Sequence, residues 1–109
     1  MAERPVFWAA AAQRDLEAIV DYIADREPAN ALKVFGRLQA RAMTLHSQTL
    51  RGRHVPELHD LGINAYRELI ESPWRIIYRS TDDRIYVVAV LDARRDLQAV
   101  LLDRLLQSR

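Results

Sequence analysis

The sequence contains no cysteine. Disulfides and thiolate metal sites are excluded, and a reducing compartment is compatible. It has only three glycines in 109 residues, too few for a nucleotide-cradling Gly-rich loop. No apolar run approaches the roughly 18 residues of a membrane span. Met1 to Pro5 lacks the shape of a signal peptide. These absences lead us to expect a soluble, cytoplasmic protein with no membrane partner. No Ser/His/Asp arrangement and no carboxylate pair suited to glycoside chemistry stands out. His46, His54 and His59 are scattered. His54 and His59 fall in a loop segment and read as hydrogen-bonded loop residues. We therefore expect no metal and no cofactor.

Lysine is also nearly absent. Fifteen of the sixteen basic residues are arginine, and Lys33 is the exception. Two explanations stay open together. A GC-rich coding sequence favours arginine, and planar guanidinium forks suit phosphate or carboxylate recognition. Only position along the chain separates them, because the net charge of +1 says nothing.

Half of the residues are hydrophobic and 28% are charged, which is globular rather than disordered composition. The length suits one domain, residues 1–109. Pro5 to Trp8 reads as a short first strand. Leu16, Ile19, Val20 and Ile23 then recur with helical period, predicting a helix from Ala9 to Glu27, where Pro28 stops it. A second helix is predicted from Ala29 to His46, with Leu32, Phe35, Leu38, Ala42 and Leu45 as its apolar face. The short connection makes these two an antiparallel hairpin. Gln48 to Leu61 reads as a turn-rich segment.

Three strands follow: Ala65 to Glu71, Trp74 to Arg79 and Arg84 to Leu91. The links between them are short, so neighbours are antiparallel. The run Ile85 to Leu91 has no polar alternation, which places it centrally, buried on both faces. A last helix, Asp96 to Gln107, carries Leu97, Val100, Leu101 and Leu105, with Asp92 or Asp96 as N-cap. The order β-α-α-β-β-β-α makes an α+β fold: a helical hairpin packed on a small, mainly antiparallel sheet, closed by a C-terminal helix.

The positions of chemical interest are arginines at this sheet. Arg67 lies in one strand, and Arg75 and Arg79 share a face of the next. Arg94 and Arg95 lie at the start of the last helix, where the macrodipole disfavours cations. Each has a plainer reading. Arg67 and Arg79 can pair with Glu68, Glu71 or Asp82, Arg75 can belong to a structural ion pair, and Arg94 and Arg95 can be surface charges.

The stretches Gly52 to Leu58, Tyr66-Arg67-Glu68-Leu69, Trp74 to Arg79 and Val87 to Leu97 together resemble the RelE/ParE toxin superfamily. The segment Trp8 to Pro28 is similar to that family's helical hairpin. The resemblance covers nearly the whole chain and rests on the order and spacing of motifs that are each loose alone. It implies a βααβββα toxin of a type II, plasmid-stabilisation-type toxin–antitoxin system, bound in a hetero-oligomer with a cognate antitoxin. It also implies one of two targets: DNA gyrase for the ParE type, or ribosome-bound mRNA for the RelE-type endoribonucleases.

Arg75 matches the superfamily's strand arginine, Arg95 the arginine after the last strand, and Arg67 a basic position of the ribonucleases. Leu69 stands at the next basic position, and Leu101 where the ribonucleases place tyrosine. With these departures, an attack by the RNA 2′-hydroxyl lacks its acid/base partners, because arginine is a poor proton acceptor. The ending also looks more like the ParE branch. The resemblance therefore favours a gyrase inhibitor without catalysis of its own, docking through Arg67, Arg75, Arg79, Arg94 and Arg95. The alternative is a ribonuclease using Arg67, Arg75 and Arg95.

Overall fold

The computed structural model describes residues 3–107, apart from the side chains of Leu105 and Gln107. Its five-stranded sheet has the order β1-β5-β4-β3-β2. The strands are β1 (Val6–Trp8), β2 (Arg53–His54), β3 (Tyr66–Glu71), β4 (Trp74–Ser80) and β5 (Ile85–Asp92). β1 runs parallel to β5, and every other pairing is antiparallel. The helices are α1 (Ala10–Ala24), α2 (Pro28–Met43), α3 (Pro56–His59) and α4 (Leu97–Gln107), with a 3-10 turn at Thr44–His46. This is the α+β fold expected from the sequence.

β5 is an interior strand between β1 and β4, in keeping with its unbroken apolar run. Ile85, Val87 and Val90 face the α1–α2 hairpin. Ala89 and Leu91 face α4. Strict alternation would not give this division. Between Ile77 and Tyr78 the register slips, so that Ile77 opposes Ala89 and Tyr78 opposes Val87. Val88 is the extra residue of a β-bulge, and it packs on the α4 side beside Ala89.

The hairpin covers one face of the sheet. α1 stops at Ala24, earlier than expected, and the amides of both Arg26 and Glu27 bond back to the Ile23 carbonyl. Pro28 then opens α2 at the position where a missing N–H costs nothing. The buried stripe of α2 is Ala31, Val34, Leu38 and Ala42, continued by Leu45. This corrects two expected core positions: Leu32 is 73% exposed and Phe35 36%. Alanines at 31 and 42 let the helix lie close to its neighbours, and the larger residues turn outward.

The other face is covered by α3 and α4. Leu58, Leu97 and Leu101 pack on Ile77, Ala89 and Leu91. Asp96 is the N-cap: its Oδ1 accepts the Ala99 amide at 3.3 Å. The segment expected as turns also holds β2 and α3, which are too short to show a period. β2 adds a fifth strand outside β3.

Asp15 ties the layers together. β1 ends opposite Val87, so further along β5 the Val90 amide has no strand partner on that side. Asp15 Oδ2 accepts that amide at 3.0 Å, and the same carboxylate takes both Nη groups of Arg104 from α4, at 2.6 and 3.0 Å. One side chain of α1 thus fastens β5 and α4.

Candidate functional site

The five arginines singled out in the sequence lie in different environments. Arg67 opposes Tyr78 across β3 and β4. It therefore shares the hairpin face with Tyr78 and Leu69. Arg75 and Arg79 lie on the opposite face, toward α3 and α4. Arg94 and Arg95 lie in the link between β5 and α4, at the end of the sheet marked by the Trp74–Asp92 pair. Arg67, Arg75 and Arg95 do not converge on one point.

Arg75 is 6% exposed and fully engaged. Its Nε donates to Glu68 Oε1 at 2.6 Å, and its two Nη groups grip Glu57 of α3 at 2.7 and 2.8 Å. Glu68 is 1% exposed, and its other oxygen accepts Arg53 Nε at 2.7 Å. A buried carboxylate needs such compensation. The hydrogen bond from Arg75 holds the Glu57 carboxyl below its ordinary range. The same contacts raise the guanidinium pKa of Arg75, Glu57 contributing most. The network fixes α3 to the sheet, and Arg75 has no donor fork left for an outside anion.

Arg79 is exposed and lies in a cross-strand row. Tyr66, Arg79, Tyr86 and Phe7 are successive neighbours across β3, β4, β5 and β1. The Arg79 guanidinium is 5.4 Å from the centroid of the Tyr86 ring, and the rings of Tyr86 and Phe7 are 6.0 Å apart. Arg84 lies 5.2 Å from the Phe7 ring centroid. Tyr66, Arg79 and Tyr86 of this row border a cleft of about 380 Å³ that Leu101 and Arg104 close from α4. Sequence reasoning did not single out Tyr66, Tyr86 or Phe7. Alternation along each strand gives the face, but only the register joins the residues into a row.

Arg94 and Arg95 border a second cleft, of about 490 Å³, walled by Tyr22 of α1 and Trp74 of β4. Arg94 is paired bidentately with Asp92, at 2.6 and 3.0 Å. That pairing draws the Asp92 carboxyl down to about 2. The pair is at the surface, with the Arg94 side chain 83% exposed, so it holds Arg94 only weakly. Arg95 is exposed, with no carboxylate at ion-pair distance among the described residues.

The two departures from the ribonuclease pattern are apolar and buried. Leu69 sits under the hairpin at 3% exposure, and Leu101 packs under α4 at 3%. Neither offers a proton acceptor. His59 Nδ1 lies 2.6 Å from Asn64 Oδ1, and its ring stacks on His54 at 5.6 Å. His54 Nδ1 is buried and makes no hydrogen bond, unlike the partnered loop histidine expected from the sequence. Among the described residues no helix is long and apolar enough to cross a membrane.

Comparison with known proteins agrees with this architecture. The family described as the ParE toxin of the type II toxin–antitoxin system parDE matches residues 6–97. A solved structure of the chromosomal ParDE toxin–antitoxin system from P. aeruginosa superposes with a TM-score of 0.69 at 22% identity, covering 83% of this chain and 96% of that one. The RelBE2 toxin–antitoxin complex from Mycobacterium tuberculosis gives 0.57 at 18% identity, covering 84% and 93%. Among curated protein sequences none matches the chain. The two structural likenesses establish the fold, and the family match spans all five strands and the helical hairpin. The chain belongs to the ParE family of toxins of type II toxin–antitoxin systems.

Proposed function

We propose that this toxin arrests growth by docking on DNA gyrase, without cutting RNA, and that a cognate antitoxin neutralises it in a hetero-oligomer. The observation that carries this reading is the dispersal of Arg67, Arg75 and Arg95. A nuclease using them must bring them to one phosphate, whereas they occupy two sheet faces and a loop. Arg75 is also spent on Glu57 and Glu68. Of the five arginines, Arg79, Arg94 and Arg95 are exposed beside apolar clefts, which suits protein docking better than proton transfer. Arg75 then acts by holding the surface in shape.

The antitoxin reading is supported by the outer side of α2. Leu32, Phe35 and Met43 are exposed there at helical spacing, 73%, 36% and 54%. An amphipathic antitoxin helix fits such a stripe, and an extended segment can add to the short edge strand β2. Acidic antitoxin residues would pair with the exposed arginines.

Titrating the protein into a gyrase supercoiling reaction tests the proposal. Supercoiling is expected to fall in a dose-dependent way and to recover when the product of a small adjacent reading frame is added. Undiminished supercoiling at a large molar excess of folded protein overturns it.

A further inference from the structure

The hairpin face carries a third pocket, at the Ile85 end of the sheet, opposite the Asp92 end. It encloses about 310 Å³ and its lining is chiefly polar. His54, Arg67 and Tyr78 are directly opposed across β2, β3 and β4. Directly opposed side chains on one face start about 5 Å apart at Cβ. Ser80 is two residues further along β4, and Arg4 reaches it from before β1, donating Nη1 to Ser80 Oγ at 2.6 Å. Two guanidiniums and an imidazole thus line one small space.

The floor is rigidly built. Arg67 Nη1 donates to the Gly52 carbonyl at 2.8 Å, and the Gly52 amide donates to the Tyr78 hydroxyl at 2.9 Å. A Cβ at Gly52 would collide with the Glu68 carbonyl and the Tyr78 ring, so only glycine closes this contact.

Charge compensation marks this pocket out. Among the described residues five arginines are at least partly buried: Arg4, Arg41, Arg67, Arg75 and Arg104. Arg41, Arg75 and Arg104 each have a carboxylate at ion-pair distance. Arg4 and Arg67 have none among the described residues, and both line this pocket. Arg4 Nε and His54 Nδ1 are in addition buried without a hydrogen bond. The carboxylate on the rim, Asp82, is exposed. Partly desolvated like charges are relieved by an anion held between them. A carboxylate has two oxygens and satisfies one guanidinium fork. A terminal phosphate has three or more non-bridging oxygens, enough for both forks and the Ser80 hydroxyl, and a backbone phosphodiester has two, set tetrahedrally so that each can face a different fork.

We propose that the pocket formed by Arg4, His54, Arg67 and Ser80 binds a phosphate group. The group belongs either to a small phosphorylated molecule or to a nucleic-acid backbone. The site is separate from the Arg79 and Arg94–Arg95 clefts, and its existence does not depend on gyrase being the target.

The test is an NMR titration of the isotope-labelled full chain with inorganic phosphate, a nucleoside monophosphate and a short single-stranded oligodeoxynucleotide. Each is compared with chloride at equal ionic strength. Saturable shifts are expected at the Arg4 and Arg67 Nε–H groups and at the Ser80 and Thr81 amides. Arg4→Gln and Arg67→Gln are each expected to weaken binding about tenfold, the loss of a charge-assisted hydrogen bond. Arg4→Gln removes no backbone contact, so it serves if Arg67→Gln does not fold. Saturation by inorganic phosphate or the monophosphate assigns the site to small molecules. Saturation by the oligonucleotide alone assigns it to a nucleic-acid backbone. The proposal is overturned if no phosphate probe gives saturable shifts, if chloride gives the same shifts, or if the shifts scatter over Arg94 and Arg95.

Discussion

Arg75 and Glu68 meet on a diagonal across β3 and β4, with Nε 2.6 Å from Oε1, and both are more than nine-tenths buried. The same guanidinium clamps Glu57, so three acidic and basic groups from β3, β4 and α3 form one unit. Removing Arg75 leaves Glu68 buried with Arg53 as its remaining partner. Arg75→Met is expected to lower unfolding stability by about 3–5 kcal/mol. Adding Glu68→Leu is expected to restore most of that loss, because Glu57 and Arg53 are then free to solvate. Urea unfolding of the two variants checks this. A nearly neutral Arg75→Met would show that the network carries little stability.

The acid limb of stability follows from the same contact. Folding lowers the Glu57 carboxyl from its ordinary 4.5, chiefly through Arg75. A carboxyl depressed in the folded state stabilises above its unfolded value and ceases to as pH falls through the folded one. The melting temperature is therefore expected to drop below about pH 4.5, and Glu57→Gln to flatten that drop. Asp92, drawn down to about 2 by Arg94, acts in the same direction but at the surface, so Asp92→Asn is expected to matter little at high salt. An unchanged acid limb in Glu57→Gln contradicts the assignment.

The outward residues of α2 separate partner binding from folding. Leu32→Asp replaces a 73% exposed side chain, so stability is expected to stay within about 0.5 kcal/mol. Antitoxin affinity is expected to fall at least about thirtyfold if this stripe is a central anchor. Calorimetric titration with the antitoxin reads the second effect and thermal melting the first. Unaltered affinity moves the antitoxin helix elsewhere.

Charge reversal at Arg79 and Arg95 probes the target surface more cleanly than reversal at Arg75, which would break the buried network. Arg95→Glu and Arg79→Glu are each expected to fold normally and to lose most growth inhibition on induction. Full toxicity in the double variant would place the working surface outside these clefts.

Periodicity in the sequence located the hairpin, the meander and the last helix, because each repeats its pattern over several turns or pleats. It misjudged α2 by favouring the large Leu32 and Phe35 over Ala31 and Val34, which face inward. β2 and α3 span two and four residues, too few to show any period. The arginines were visible in the sequence, but their faces relative to one another were not. Arg67 and Arg75 are close in sequence, and the antiparallel register and alternation put them on opposite sides of the sheet. The row from Tyr66 to Phe7 and the pairing of Asp15 with Arg104 join residues far apart in the chain, and a single sequence carries no signal for either.

The central claim is that this toxin acts by docking and not by cutting RNA. One preparation, assayed in parallel on purified gyrase with supercoilable plasmid and on translating ribosomes with a defined mRNA, tests it most directly. Loss of supercoiling with accumulation of broken DNA, and mRNA left intact, is the expected result. Ribosome-dependent cleavage of the mRNA with gyrase unaffected would contradict it.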